Sequence, residues 1–155
     1  MKTLIVYASK YGCTADCAAK LKNLLTGDVT LADINKVSPN VHEFDTVIIG
    51  GSVYIGKVSK KLKAFCENNL SELLKKQVGI FLCCALADQA NEVLTSNFPP
   101  TLLTHSKATK TFGSEARLGK MSFLDKTIIK AVTKGDFSNF KISDESIEDF
   151  AKEII

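Results

Sequence analysis

The fold of this chain is decided by residues 4–14, which read Leu4-Ile5-Val6-Tyr7, then Ala8, then Ser9-Lys10-Tyr11-Gly12-Cys13-Thr14. The first four residues are an uninterrupted apolar run, which is typical of a parallel strand covered on both faces. The polar residues that follow lead into an amphipathic helix that begins near Cys13. This order predicts a strand, a short loop and a helix, the first unit of an α/β fold.

The loop at residues 9–14 is predicted to bind a phosphate group. A loop that passes from a strand into a helix brings unpaired backbone N–H groups to one place, and the positive end of the helix dipole adds to them. Ser9 and Thr14 would add hydroxyl donors, and Lys10 would add a positive charge. Gly12 lets the backbone close tightly because it has no Cβ, although the spacing is neither that of a Walker loop nor that of G-x-G-x-x-G. The alternative is an ordinary polar turn, with Thr14 near the helix N-cap.

The composition fits a single domain that spans residues 1–155. Hydrophobic residues make up 45% of the chain and charged residues 24%, so a core can form and disorder is not expected. The formal net charge of +3 is too small to indicate nucleic-acid binding. No N-terminal stretch resembles a signal peptide, and no apolar run approaches the roughly 20 residues that span a bilayer. We therefore expect a cytoplasmic protein that does not bind nucleic acid.

Five cysteines occur at positions 13, 17, 66, 83 and 84, with no C-x-x-C pair and no accompanying histidine cluster. This pattern does not indicate a disulfide framework or a zinc site, and the cysteines are expected to be buried and reduced. Cys13 has a second interpretation, because a thiol near a helix N-terminus has a lowered pKa.

Strand and helix patterns alternate along the rest of the chain. They predict strands over residues 2–7, 28–34, 44–50, 78–84 and 108–113, and helices over residues 15–25, 58–74, 121–134 and 143–155, with a further helix ending at residue 97. Pro99 and Pro100 are expected to stop that helix and leave a connector up to His105. The alternation predicts right-handed βαβ units and a three-layer α/β sandwich. In the common strand order 2-1-3-4-5, the loops after the first and third strands meet in one crevice.

Two further loops at this crevice carry apolar side chains. The loop Gly51-Ser52-Val53-Tyr54-Ile55-Gly56-Lys57 is bracketed by glycines yet contains three large apolar residues, which ordinary turns seldom do. A flat ring could rest on these side chains, and the alternative is that they return to the core. The run Cys83-Cys84-Ala85-Leu86-Ala87-Asp88 follows the fourth strand. The predicted ligand therefore has a phosphate at one end and a flat ring at the other.

These segments resemble the flavodoxin family across nearly the whole chain, through S-K-Y-G-C-T, G-G-S-V-Y-I-G-K and C-C-A-L-A-D. The resemblance implies a flavodoxin-like fold with FMN as the cofactor, and flavodoxin is itself the standard example of a ligand at this switch point. In that family the first loop binds the FMN phosphate and the other two flank the isoalloxazine ring. Carried over to this sequence, the phosphate-binding residues are Ser9, Lys10, Tyr11, Gly12, Cys13 and Thr14. The ring-binding residues are Ser52, Val53, Tyr54 and Ile55 on one side, and Cys84, Ala85 and Leu86 on the other.

A closer resemblance is to the branch that includes the menaquinone-dependent protoporphyrinogen oxidases. It rests on M-K-T-L-I at residues 1–5, on the loop at residues 52–57, and on F-G-S-E-A-R-L at residues 112–118, which leads into F-L-D-K at residues 123–126. The chain differs from the usual flavodoxin loop at Tyr11, which stands in the place of a small threonine. It is also shorter than that branch between the fourth and fifth strands.

Three functions follow from these observations. The first is an FMN-dependent oxidoreductase that passes electrons to a quinone, as the protoporphyrinogen oxidase-like branch implies. The second is an electron shuttle that docks on partner redox proteins, and the third is a flavin-free binding module. No residue is assigned an acid or base role, because a flavin supplies the redox chemistry. The helix over residues 121–134 is predicted to bury Leu124, Ile128 and Val132. Its basic face of Lys126, Lys130 and Lys134 offers at most peripheral membrane contact.

Overall fold

The computed structural model describes residues 1–84, 87–115, 117–135 and 140–155, and within them five parallel strands form one sheet. The strands are β1 (Lys2–Ala8), β2 (Asp28–Asp33), β3 (Thr46–Ser52), β4 (Gln77–Cys83) and β5 (Ala108–Thr111). Their order is β2-β1-β3-β4-β5, and every neighbouring pair is parallel. The predicted α/β fold and strand order are therefore confirmed.

Helices cover both faces of the sheet. In the described ranges they are α1 (Cys13–Leu24), α2 (Lys60–Asn68), α3 (Leu70–Leu73), α4 (Ala90–Asn97), α5 (Pro100–His105), α6 (Phe123–Thr133) and α7 (Asp144–Ile154). One apolar cluster joins the sheet to α1 and α7, and a second joins it to α2, α3, α4 and α5. No helix in this part of the chain combines the length and the apolar character needed to cross a membrane.

The central strands are buried on both faces, because consecutive side chains alternate between the two clusters. In β3, Val47 and Ile49 belong to the same cluster as Leu62 of α2. Ile48, between them, belongs to the cluster of Phe150 in α7. This double burial explains why the sequence of β3 reads as a continuous apolar run.

The segment after Pro99 differs from its prediction. Residues 100–105 form α5 rather than a connector, and Pro100 is the first residue of that helix. Proline favours this position because the first helical N–H needs no partner and the ring already fixes a helical φ. Leu102 is fully buried and anchors the helix on the sheet. The two prolines therefore end one helix and begin the next.

The predicted helix over residues 58–74 is also divided. It forms α2 and α3, which meet at Asn69. The Asn69 side-chain amide donates a hydrogen bond to the carbonyl oxygen of Phe65 at 2.9 Å and so satisfies a group at the end of α2.

Candidate functional site

A cavity of about 620 Å³ lies at the carboxyl ends of the central strands. The strand ends meet there because Ala8 of β1 pairs with Gly51 of β3, and Ser52 pairs with Cys83 of β4. The volume falls within the range of small-molecule sites, about 300–1,000 Å³. The topology thus produces the crevice that the sequence predicted.

Most of the predicted site residues line this cavity. They are Ser9, Lys10, Tyr11, Cys13, Thr14, Ser52, Val53, Tyr54, Ile55 and Cys84. Gly12 belongs to the same loop and shapes it through its backbone, as described next. Ala85 and Leu86 lie outside the described residues.

The loop after β1 closes tightly at Gly12. Its φ of 92° lies in the left-handed region, and its N–H donates a hydrogen bond to Ser9 Oγ at 3.0 Å. A Cβ at this position would lie 2.8 Å from Arg117 Nη1 and 3.9 Å from Lys120 Nζ. The left-handed conformation therefore favours glycine here, whereas the end of the flexible Arg117 side chain could move away from a Cβ. Because α1 begins at the next residue, its first N–H groups are available to a ligand at this loop.

Thr14 carries an unsatisfied hydroxyl beside the same loop. Among the residues that the structure describes, its Oγ1 is the buried side-chain oxygen or nitrogen with no hydrogen-bond partner. Thr14 is fully buried and lines the cavity. A buried polar group without a partner costs about 1–3 kcal/mol, and such a group in a cavity is explained by an acceptor that a ligand brings. A phosphate oxygen would be such an acceptor.

Arg117 adds a positive charge that the sequence analysis did not assign to the site. Its Nη1 donates to the carbonyl oxygen of Tyr11 at 3.3 Å. Its Nη2 pairs with the carboxylates of Asp16 at 2.5 Å and Glu115 at 3.0 Å. Arg117 was noted only as part of a segment resembling other proteins, because its contact with the first loop spans 106 positions of sequence.

Asp125 of α6 connects the two predicted ligand-binding loops. Its carboxylate pairs with Lys10 Nζ at 2.8 Å and accepts a hydrogen bond from the Tyr54 hydroxyl at 2.6 Å. The Tyr11 hydroxyl donates to it as well. Lys10 chiefly, then the Tyr11 and Tyr54 hydroxyls, hold the pKa of Asp125 well below its ordinary value of 3.8. Asp125 is therefore an ionised, buried anchor between α6 and both loops.

The contact between Lys10 and Tyr54 joins the two loops directly. Lys10 Nζ lies 3.9 Å from the centroid of the Tyr54 ring, within the range of a cation–π interaction. This contact places the positive charge of the first loop beside the aromatic ring of the second.

The loop after β3 ends in a tight turn at the rim of the cavity. Tyr54 and Lys57 exchange two backbone hydrogen bonds, at 2.9 and 3.1 Å. Between them Ile55 has a φ of 50° and Gly56 a φ of 71°, the signs of a type I′ turn. A β-branched residue at positive φ is rare, and such strain costs about 1–3 kcal/mol. The strained Ile55 is 66% exposed, so this loop presents an apolar surface at the rim.

Val53 and Tyr54 differ in how far they return to the core. Val53 is half-buried and packs against the cluster around α2. Tyr54 is 39% exposed. The alternative prediction for this loop was that its apolar residues return to the core. Of the two residues, only Val53 does so, and only in part.

The wall of the cavity opposite these loops comes from α6 and the residue before its N-cap. Asp125, Ile128 and Ile129 of α6, together with Met121, line the cavity. These three helical positions share one face, since residues three and four apart are neighbours on a helix. Leu124, four positions before Ile128, is nevertheless 66% exposed, so its predicted burial is wrong. The side chain of Val132 lies outside the part of the chain that the structure describes. The sequence contains one local signal near Asp125, its three-residue spacing from Ser122, the N-cap of α6, but this spacing indicates only helix capping.

Three cysteines lie together beneath the first loop. All five cysteines are buried, as predicted, and the sulfurs of Cys13, Cys17 and Cys83 lie within 4.8 Å of one another. Cys17 chiefly, and Cys83 to a smaller extent, lower the pKa of Cys13 through their hydrogen bonds with its sulfur. The same bonds raise the pKa values of Cys17 and Cys83. The sequence did not reveal this group, because Cys83 reaches it only through the position of β4.

Comparisons with known proteins agree with this architecture. The model of a family described as a flavodoxin domain matches residues 4–141. The chain is similar to a flavodoxin from the domain Archaea, with a TM-score of 0.61, 16% identity and 99% of both chains covered. It is also similar to a Fusobacterium nucleatum flavodoxin bound to flavin mononucleotide, with a TM-score of 0.52, 16% identity, and coverage of 99% of this chain and 96% of that one.

A third similar structure is larger. Rubredoxin oxygen:oxidoreductase from Desulfovibrio gigas has a TM-score of 0.58 at 14% identity, with 99% of this chain and 35% of that chain covered. The present chain thus spans about a third of the length of that protein. No curated protein sequence gives a significant match. At such low identities, the structural similarities establish the fold.

Proposed function

Because the chain belongs to the flavodoxin-domain family, we propose that its cavity binds FMN and that the protein transfers electrons. The observation that carries this proposal is the buried Thr14 hydroxyl, which has no partner and lies beside the glycine loop at the start of α1. Such a hydroxyl at a helix N-terminus suits a phosphate group. The remaining walls of the cavity suit a flat ring.

The phosphate end would be formed by residues 9–14. Ser9 and Thr14 would contribute hydroxyl groups, and the first N–H groups of α1 would contribute backbone donors. Arg117 contacts the same loop through the Tyr11 carbonyl and brings a positive charge to it. We expect this end to contribute most of the discrimination between FMN and riboflavin, which lacks the phosphate.

The ring end would lie between Tyr54 and Ile55 on one side and Cys84 on the other, with Ala85 and Leu86 as further predicted contacts. Tyr54 offers an aromatic face and Ile55 an exposed apolar side chain. FMN would supply the redox chemistry when it is bound. The apolar side chains of this chain would exclude water from the ring and fix its orientation.

Asp125 would control how tightly the cavity is covered. Its bonds to Tyr54 and Lys10 hold α6 against the loops after β3 and β1. A phosphate group at the first loop would compete with this carboxylate for the Lys10 ammonium. We therefore propose that Lys10 is shared between Asp125 and the ligand.

One feature favours a quinone as the electron acceptor, as in the protoporphyrinogen oxidase-like branch. Phe123 and Leu124 are 87% and 66% exposed at the start of α6, next to the wall of the cavity. With Lys126 and Lys130 on the same helix, they form a surface of apolar and basic residues that suits an acceptor at an anionic membrane surface. An electron shuttle for partner redox proteins is the second candidate. The cytoplasmic location stays a prediction.

Anaerobic stopped-flow reoxidation tests these functions. The full chain is loaded with FMN, reduced, and mixed either with a menaquinone analogue or with cytochrome c as a protein acceptor. Rapid reoxidation by the quinone supports the oxidoreductase, and rapid reoxidation by cytochrome c alone supports the shuttle. Slow reoxidation by both contradicts a role in electron transfer. The variant Phe123→Ser should slow the quinone reaction, whereas Leu24→Ser, an exposed leucine of α1, should leave it unchanged.

A further inference from the structure

We propose that Cys13, Cys17 and Cys83 form a binding site for a soft metal ion, and that Cu(I) is the ion that suits it best. The site lies below the loop that starts α1, and its ligands are side chains of α1 and β4. This proposal does not rest on FMN binding, because the three thiols are assembled by the packing of α1 on the sheet.

The three sulfurs are already close enough to share one ion. They lie within 4.8 Å of one another, and all three residues are buried. A three-coordinate ion with metal–sulfur bonds of about 2.3 Å holds its sulfurs about 4.0 Å apart. Small rotations of the cysteine side chains would therefore complete the site without movement of the backbone.

The donor set selects the class of metal. Three thiols are soft ligands, which favour Cu(I), zinc and iron–sulfur clusters over magnesium or calcium. Among the described residues, no histidine or carboxylate joins this group. Structural zinc sites almost always have four ligands. A site with three sulfurs therefore suits Cu(I), which does not require a fourth ligand.

The protein provides both access to the site and groups that favour a thiolate. Cys13 and Cys83 line the cavity, so an ion can enter from it, while Cys17 lies behind them with 1% of its surface exposed. Cys13 is the first residue of α1, where the helix dipole stabilises a thiolate. Arg117 acts on Cys13, and Lys20 on Cys17, in the direction that favours the thiolate, although both cations are also paired with carboxylates. Binding would displace the thiol protons into solvent.

The competing explanation is that the three cysteines are small apolar core residues, as buried cysteines often are. In that case replacement by alanine would remove only packing. A metal site differs because each of the three thiols is needed for the same ion, whereas Cys66, buried in α2 and outside the group, is needed for none.

Competition for Cu(I) between the protein and a chelator distinguishes a metal site from simple core packing. The full chain without FMN is titrated anaerobically, with excess ascorbate, against the Cu(I) chelator bicinchoninate, whose absorbance reports the copper that it retains. Wild type should remove one equivalent of Cu(I) from the chelator. Loss of a residue that only hydrogen-bonds to a metal ligand typically weakens metal binding 10- to 100-fold. Loss of a ligand should cost more, so Cys13→Ala, Cys17→Ala and Cys83→Ala should each weaken Cu(I) binding at least about 100-fold. Cys66→Ala should bind like wild type.

Further measurements keep the proposal testable if an alanine variant fails to fold by circular dichroism. X-ray absorption of the copper-loaded wild type should show three sulfur neighbours, and Cys→Ser replacements offer closer shape mimics. Failure to take Cu(I) from the chelator would overturn the proposal. Tighter binding of Zn(II) than of Cu(I) would also overturn it, as would fewer than three sulfur neighbours around the copper. A loss of binding in Cys66→Ala as large as in the other three alanine variants would have the same consequence.

Discussion

The Asp125 carboxylate accepts a hydrogen bond from the Tyr54 hydroxyl at 2.6 Å, although the two residues are 71 positions apart in the sequence. The same carboxylate pairs with Lys10 at 2.8 Å. One side chain of α6 therefore joins the loop after β1 to the loop after β3. Because these loops form the walls of the cavity, this contact sets how readily α6 can move away from it.

Removal of the Asp125 carboxylate should release α6. In Asp125→Ala we expect hydrogen exchange of the α6 amides to become several-fold to about tenfold faster, because local opening no longer breaks the bonds to Lys10 and Tyr54. Amides of β3 and β4 should keep their protection. The control is Asp149→Ala, at an aspartate of α7 whose side chain is 48% exposed and whose carboxylate lies 3.9 Å from Lys152 Nζ. Equal exchange in α6 of wild type and Asp125→Ala would show that this contact does not hold the helix.

The contribution of Asp125 to stability should depend on pH in a defined direction. Its pKa is lowered in the folded protein, mainly by Lys10. A carboxyl with a lowered pKa stabilises the folded state above its unfolded value, about 3.9, and that contribution is lost as the pH falls toward the folded value. The difference in unfolding free energy between wild type and Asp125→Asn should thus be constant from pH 5 to 7 and shrink below about pH 4. Urea denaturation of both proteins measures it.

This comparison isolates Asp125 from other carboxylates. Glu72 also has a lowered pKa, through its hydrogen bond with Lys75, but it is present in both proteins and cancels. A difference that stays constant down to pH 2.5, or that disappears already at pH 6, would contradict the assigned role.

Replacement of Gly12 should impair ligand binding. Gly12→Ala places a Cβ at a strained φ of 92° and 2.8 Å from Arg117 Nη1, so either the loop must relax or the Arg117 side chain must move. A left-handed conformation costs an alanine about 1–2 kcal/mol, and we expect FMN affinity to fall at least about tenfold. Gly119→Ala is the matched control, because nothing lies within 4 Å of its added Cβ. Unchanged affinity in Gly12→Ala, measured by fluorescence titration, would argue against a phosphate at this loop.

Thr14 should show opposite effects on stability and on binding. Thr14→Val removes the buried hydroxyl that lacks a partner, so the ligand-free protein should unfold at higher urea, with a gain of about 1 kcal/mol. FMN affinity should fall about tenfold, because the ligand loses a donor. Thr46→Val is the control, since the buried Thr46 hydroxyl donates to Gln77 Oε1 at 3.4 Å and its loss should destabilise. Destabilisation by Thr14→Val would mean that its hydroxyl already has a partner.

The parts of the site that could be predicted from sequence are those set by local pattern and topology. The apolar run before Ser9 predicted β1, and the alternation of elements predicted that the loops of Gly12 and Tyr54 would meet. Arg117 and Asp125 could not be predicted in the same way, because their contacts with the first loop depend on where the chain passes after β5. No pattern in the sequence around Arg117 and Asp125 indicates that this part of the chain returns to the first loop.

The group of Cys13, Cys17 and Cys83 could likewise be predicted only in part from the sequence. Cys13 and Cys17 have the four-residue spacing of one helix face, which the sequence displays. Cys83 joins them only because β4 lies next to β3 and under α1, a long-range relationship. Local signals also explain the error at Pro100, since a proline that ends one helix is equally suited to begin another.

The central claim is that the cavity binds a flavin through its phosphate, and a paired titration of the ligand-free protein with FMN and riboflavin tests it most directly. We predict that FMN binds one to one with a change in its fluorescence. Riboflavin, which differs only by lacking the phosphate, should bind at least about tenfold more weakly, a difference of about 1.4 kcal/mol or more. Equal affinities for the two, or binding of neither, would contradict the account.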